Sequence, residues 1–230
     1  MKSLVLCSNM QDEEPEIVDW MTMARRIADA GIIIVDSGSK DNTVQIARDM
    51  GAIVIENDII KTEGYGPARN HLMDMAREHF PEAGWMMFLD ADERIIPEEW
   101  HNLRCVKDYL MDQYDAVGFP RIDWHDRAMT KAENVYQVAP DWQCRMIRLS
   151  SKARYARKLH EQLSGMKQIY VDLNLPKINH FHRCAAPGKR AQVGILCAKL
   201  HTEDTEFGNT YPKHPSEEKY YNLYKKGGLL

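Results

Sequence analysis

Gly31-Ile32-Ile33-Ile34-Val35-Asp36-Ser37-Gly38-Ser39-Lys40-Asp41-Asn42-Thr43 is the stretch that decides the fold. Residues 32–35 form an unbroken β-branched run, the pattern of a strand buried on both faces of a parallel sheet. Upstream, residues 4–7 read as a strand. Residues 15–30 then read as a helix, with Ile17, Trp20, Ala24, Ile27 and Ala28 on one face at three- and four-residue spacing. Gly31 fits the C-terminal stop of that helix. Downstream, residues 41–50 read as a short helix carrying Val44 and Ala47 and ended by Gly51, and residues 52–55 as the next strand. Residues 67–79 follow as a helix with Pro67 in its first turn, where a missing N–H costs little. Its inward face is Ala68, Leu72, Met75 and Ala76. Residues 85–89 are another fully apolar run, and residues 97–110 a helix with Trp100, Leu103, Val106 and Leu110 inward. This alternation predicts an α/β fold with a mostly parallel, Rossmann-like sheet and helices on both faces. The second half is less regular, with strands expected at 116–119, 143–149 and 168–173 between long polar segments.

Composition narrows the class. The chain has 230 residues, 44% of them hydrophobic and 28% charged, enough for one α/β domain with a sizeable core. A net charge of −4 argues against a nucleic-acid binder, although residues 145–158 concentrate six Arg and Lys. No stretch approaches the roughly 18 apolar residues of a transmembrane helix. The apolar run at residues 4–7 is too short for a secretory signal, so the expected location is cytoplasmic. The five cysteines form no C-x-x-C pair, which reads as scattered reduced thiols.

The chemistry sits at strand ends. Asp36 directly follows one apolar run, Asp90 follows another, and Asp92 lies two residues further on. Open α/β sheets bind ligands outside the carboxyl ends of their strands, and residues two apart in an extended segment face the same way. The competing reading of the pair is a solvated turn. A carboxylate pair in such a crevice suits Mg²⁺ or Mn²⁺, hard ions that share oxygen ligands with phosphates. They would offset the charge that builds on a departing diphosphate. The chain has neither a P-loop nor a G-x-G-x-x-G fingerprint after its first strand, which leaves phosphate to metal, Arg or Lys. Arg69, in Gly64-Tyr65-Gly66-Pro67-Ala68-Arg69-Asn70 at the start of a helix, is a candidate for that role. Otherwise it is a surface Arg on a first turn.

Three motifs carry a family resemblance: Ile34-Val35-Asp36-Ser37-Gly38-Ser39-Lys40-Asp41-Asn42-Thr43, the Gly64–Asn70 segment, and Phe88-Leu89-Asp90-Ala91-Asp92-Glu93. Their order and spacing resemble family 2 of the glycosyltransferases, which have the GT-A fold. The resemblance implies an inverting transferase that takes a sugar from a nucleotide-diphosphate donor, UDP by default. It implies a hydroxyl acceptor, whether glycan, lipid-linked glycan or other, and Mn²⁺ or Mg²⁺ as cofactor. Asp36, with Ser37, would hold the nucleobase or ribose, and the Asp90/Asp92 pair would hold ribose and metal. Arg69 and Asp12 would belong to the nucleotide-sugar site. Asp12 stands in Asp12-Glu13-Glu14, where the family usually shows Asn-Glu-Glu.

The second half resembles the lipopolysaccharide-core type of glucosyltransferase through Arg145-Met146-Ile147-Arg148, Leu159-His160-Glu161 and Ile178-Asn179-His180-Phe181. That resemblance implies Glu161 as catalytic base, with Asp126 and Asp141 as rivals, and His180 near the metal or diphosphate. A satisfied strand histidine is the alternative for His180. The resulting division is a donor half at residues 1–110, an acceptor-side half of the same domain at 111–200, and a polar tail at 201–230, loosely ordered and bearing Tyr220, Tyr221 and Tyr224. Two other functions fit the same pattern. A sugar-phosphate nucleotidyltransferase would carry Gly and basic residues after its first strand, and residues 8–14 have neither. A catalytically inert nucleotide- or glycan-binding module would keep the fold without turnover.

Overall fold

A computed structural model describes residues 3–110, 113–133 and 141–203. The polar stretch 204–230, with its tyrosine cluster, lies outside the described residues. The chain runs β1 (Leu4–Met10), α1 (Glu14–Ile27), β2 (Gly31–Asp36), α2 (Thr43–Asp49), β3 (Ile53–Glu56), α3 (Ile59–Thr62), α4 (Tyr65–His79), β4 (Trp85–Phe88) and β5 (Glu93–Arg94). It continues with α5 (Trp100–Tyr109), β6 (Ala116–Asp123), β7 (Asp141–Arg148), β8 (Arg154–Ala156), β9 (Gln162–Ser164), β10 (Ile169–Val171), β11 (Ile178–His180) and α6 (Pro187–Glu203).

Among the described residues the sheet has nine strands, in the order β3-β2-β1-β4-β7-β6-β11-β5 with β10 also paired to β6, and β8-β9 is a separate hairpin. β1 pairs in parallel with β2 and β4, β2 with β3, and β6 with β10 and β11. β7 is antiparallel to β4 and β6, and β5 to β11. The sheet is therefore mostly parallel, and helices flank both faces, as the alternating apolar runs predict.

Alternation along β1 splits the core. Leu4, Leu6 and Met10 join a cluster with Ile17, Trp20, Ala24 and Ile27 of α1, while Val5 and Cys7 join a cluster with Leu72, Met73 and Ala76 of α4. The inward face of α4 differs from the expected one, because Met73 and Arg69 are buried and Met75 only partly so. On α5, Lys107 is buried beside Leu103, its ammonium on Asp29, and its carbonyl accepts from Trp85 Nε1 at 3.2 Å. The five cysteines are free thiols, and among the described residues no helix is long and apolar enough to cross a membrane.

Two sequence expectations need correction. Gly31 is not the stop of α1, which ends at Ile27 with Ala28 already extended; it is the first residue of β2. A Cβ there would lie 2.1 Å from the Phe80 ring, so the glycine makes room for that ring. The strand expected at 116–119 runs on through Pro120 to Asp123. Pro120 falls between the residues paired to β10 (116–118) and those paired to β11 (121–123), where a missing N–H breaks no ladder on that side.

Candidate active site

The carboxyl ends of β1, β2 and β4 lie side by side, because these strands are parallel neighbours. At the end of β2, Asp36 is 2% exposed. Its Oδ2 accepts from the N–H groups of Gly38 and Ser39, both at 2.9 Å, and its Oδ1 from the Ser39 hydroxyl. This turn needs the left-handed backbone that Gly38 supplies at φ +87°. Ser37, beside it, is also 2% exposed, and its hydroxyl meets no protein partner among the described residues.

Asp12 ties the loop after β1 to this turn. Its N–H donates to Ser39 Oγ at 2.8 Å, and its Oδ1 accepts from the Lys40 N–H at 2.7 Å. Asp12 is itself left-handed at φ 53°, a conformation Asp and Asn tolerate better than most residues. From α6, Lys189 donates to the carbonyls of Gln11 at 3.1 Å and Asp12 at 2.9 Å and pairs with the Glu13 carboxylate.

Past β4, Asp90 meets a buried arginine pair. Arg145 Nη2 lies 3.0 Å from Asp90 Oδ2 and 2.6 Å from Glu93 Oε1, and Arg69 Nη2 lies 3.7 Å from Asp90. Burial works against the Asp90 charge, but Arg145, then Arg69, His180 and Arg121 more than offset it and hold the carboxyl at about 2. Arg69 also places Nε 2.8 Å from Glu161 Oε1, with its guanidinium 5.5 Å from the Phe88 ring centre and 5.4 Å from that of Tyr155. Glu161 therefore meets a cation that lies far from it in sequence.

The glycines before Arg69 explain how that contact is made. Tyr65 N–H donates to the Lys158 carbonyl at 2.7 Å, and Asn70 exchanges two hydrogen bonds with the Tyr155 backbone at 2.8 and 2.9 Å. A Cβ on Gly66 would lie 2.2 Å from the Arg157 carbonyl oxygen, and one on Gly64 2.6 Å from that of Lys158. The glycine motif is a seat for the backbone that carries Glu161. That backbone holds Arg157 at φ 75° and His160 at φ 52°, conformations non-glycine residues adopt only where the surroundings impose them. Gly66→Ala should displace residues 155–161 against rigid backbone. We expect a loss of about 1–3 kcal/mol in stability from overpacking, which denaturant melts on the variant check.

Asp92 meets β11. His180 Nε2 lies 3.5 Å from Asp92 Oδ2, and His180 Nδ1 lies 2.5 Å from Asp123 Oδ1. Burial lowers the proton affinity of His180, but the hydrogen bonds to Asp123 and Asp92 outweigh it and push the pKa up to about 10. Asp92 is held below the usual carboxylate range: burial opposes this, and the hydrogen bond and charge of His180 prevail. The His182 ring stacks near His180 with centroids 4.7 Å apart, and ligand atoms of Asp123, His180 and His182 lie within 4.8 Å of one another.

Asp90, Arg69 and Glu161 thus form one contiguous group, and Asp92 and His180 an adjacent one. Asp36, Ser37 and Asp12 gather at the ends of β1 and β2. Sequence reasoning assigned no role in the site to Glu93, Arg145 or Asp123. Asp123 ends a strand just as Asp36 does, and ending that strand at 119 hid it.

Residues 23–186 match the profile of Glycosyl transferase family 2. A TPR repeat-containing protein of Synechococcus elongatus is 29% identical over 161 residues, 70% of this chain and 35% of its own. Glycosyltransferase AglJ of Haloferax volcanii is 22% identical over 225 residues, 95% of this chain and 66% of its own. Among solved structures, S. aureus TarS aligns with a TM-score of 0.55 at 16% identity, over 98% of this chain and 43% of that one. That likeness is one of fold. The chain spans about a third of the first relative and just under two thirds of the second.

Proposed function

The chain belongs to glycosyltransferase family 2, and from that premise we propose that it moves a sugar from a nucleotide-diphosphate donor, by preference a UDP-sugar, to a hydroxyl acceptor with inversion. A glycan or a lipid-linked glycan is the acceptor class. The motifs around Arg145, Glu161 and His180 favour the lipopolysaccharide-core-type glucosyltransferase branch. The observation that carries the reading is the Arg69 guanidinium joining Asp90, past β4, to Glu161, between β8 and β9.

In this reading the nucleoside lies against the ends of β1 and β2. Asp36 and Asp12 hold the shape of that wall, with Ser37 buried beside them. Asp90 faces the ribose. Asp92 and His180 would hold Mn²⁺ or Mg²⁺, with Asp90 close by. Carboxylate oxygen beside imidazole nitrogen is a donor set such an ion accepts, Mn²⁺ more readily than Mg²⁺. A bound ion would neutralise charge on the departing diphosphate. Arg69 adds positive charge beside Asp90 and orients Glu161, which takes the acceptor proton as the new bond forms.

A thermal-shift titration tests the donor site. UDP with Mn²⁺ at 100 times its dissociation constant should stabilise the protein by about 2.7 kcal/mol. Asp36→Ala opens the turn that shapes the nucleoside wall, so it should lose most of that shift and raise the donor KM. A change confined to the acceptor KM would move the nucleoside elsewhere.

A further inference from the structure

The pairing of β6 with β11 sets Asp123 directly opposite His180 in register. The two nitrogens of that imidazole face different carboxylates. Nδ1 is 2.5 Å from Asp123, and Nε2 is 3.5 Å from Asp92. The distances separate two kinds of contact. Ligand atoms about 2.1 Å from one ion stand roughly 3.0 to 3.4 Å apart for angles between square and tetrahedral. The Asp92 side has that spacing to within about a tenth of an ångström. The Asp123 side is too close for an ion and is a charge-assisted hydrogen bond.

We infer that Asp123 is the positioning residue that fixes the His180 ring, accepting a hydrogen bond from Nδ1–H so that Nε2 is the nitrogen turned toward Asp92. The inference rests on the proposed reading that Asp92 and His180 hold the divalent ion. Several contacts support it. Arg121 Nε lies 3.5 Å from Asp123 Oδ1, and its charge favours the ionised carboxylate. The His180 carbonyl accepts from Trp124 N–H at 2.9 Å, and the Phe181 N–H donates to the Asp92 carbonyl at 2.9 Å, so the strand carrying the ring is tied on both sides. A carboxylate behind a metal-bound imidazole fixes the tautomer and the ring orientation. Removing such a partner commonly weakens metal binding about 10- to 100-fold.

The test is Mn²⁺ affinity, read by electron paramagnetic resonance of free Mn²⁺ with UDP present, alongside UDP affinity without metal and a melting curve for each variant. Asp123→Ala should weaken Mn²⁺ binding about 10- to 100-fold and leave metal-free UDP binding unchanged. Asp123→Asn keeps an acceptor for the Nδ1 proton and should lose less. In a His180→Ala background, Asp123→Ala should add almost nothing, since its effect passes through the ring. An equal loss in that background would make Asp123 a ligand itself and overturn the inference. Should Asp123→Ala not fold, the same cycle is run with Asp123→Asn, where full additivity has the same meaning. If His180→Ala weakens Mn²⁺ and neither Asp123 variant does, the inference falls and the metal reading stands. If Asp92→Asn and His180→Ala both bind Mn²⁺ like the native chain, the metal reading falls and takes the inference with it.

Discussion

Glu161→Gln should lower kcat by two orders of magnitude or more while leaving donor affinity nearly unchanged. A hydroxyl is a poor nucleophile until its proton is taken, and a positioned general base is typically worth about 10² to 10⁴ in rate. Glutamine keeps the size and one oxygen but cannot take the proton. Glu161 lies on a segment built for position. Its carboxylate is 16% exposed and bonded to Arg69, and the backbone behind it sits on Gly64, Gly66 and Asn70. The rival carboxylates are otherwise engaged. Asp126 accepts from Thr130 and from the Lys131 N–H in an exposed turn, and Asp141 is 2.7 Å from Arg121 and bonded to Gln143. Kinetics with saturating donor separate the cases, since loss of a transition-state interaction lowers kcat and kcat/KM together. A Gln variant with near-native kcat would move the base to Asp141 or Asp126. A product of retained anomeric configuration would discard single displacement.

Asp92→Asn should abolish turnover and weaken binding of a nucleotide diphosphate in the presence of Mn²⁺, with the melting temperature close to that of the native chain. The same site predicts a pH dependence. His180 is protonated in the metal-free protein up to a pH of about 10, so an ion can use Nε2 only by displacing that proton. Metal binding should tighten as pH rises toward that value, by up to about tenfold per unit. The stability effect without metal has the opposite trend. A histidine whose pKa is raised on folding contributes fully below its unfolded value of about 6.5. That contribution fades as pH climbs through about 10, so the metal-free fold should weaken over the window in which metal binding strengthens. Calorimetry in buffers of different ionisation enthalpy would count the released proton. Metal binding that stays flat over about three pH units, from about 6 to about 9, would remove His180 from the ligand set.

The first half of the fold is legible because its central strands β1, β2 and β4 are buried and read as plain apolar runs. Residues 32–35 and 85–89 declare themselves, and their terminal Asp36 and Asp90 follow at once. The second half was harder for specific reasons. Pro120 looked like a strand end, although it sits where the sheet leaves it unpaired on one side. Glu161 lies between three-residue strands too short to show a period. Arg69 read as a candidate phosphate ligand on a helix start, but the same glycines that suggested an open anion site are filled by the Arg157 and Lys158 backbone. Its contacts with Glu161 and Asp90 join residues distant in sequence, and no local pattern reports such a pair.

In the proposed function this carboxyl edge cleaves a nucleotide-sugar with the help of a divalent ion. The most direct measurement is release of UDP from UDP-sugars by the native chain, with Mn²⁺ and then with chelator, in parallel with Asp92→Asn. The account predicts slow release with Mn²⁺ and no acceptor, faster release when a glycan acceptor is supplied, and loss of both with chelator or with Asp92→Asn. UDP release that persists unchanged in chelator and in Asp92→Asn would contradict it.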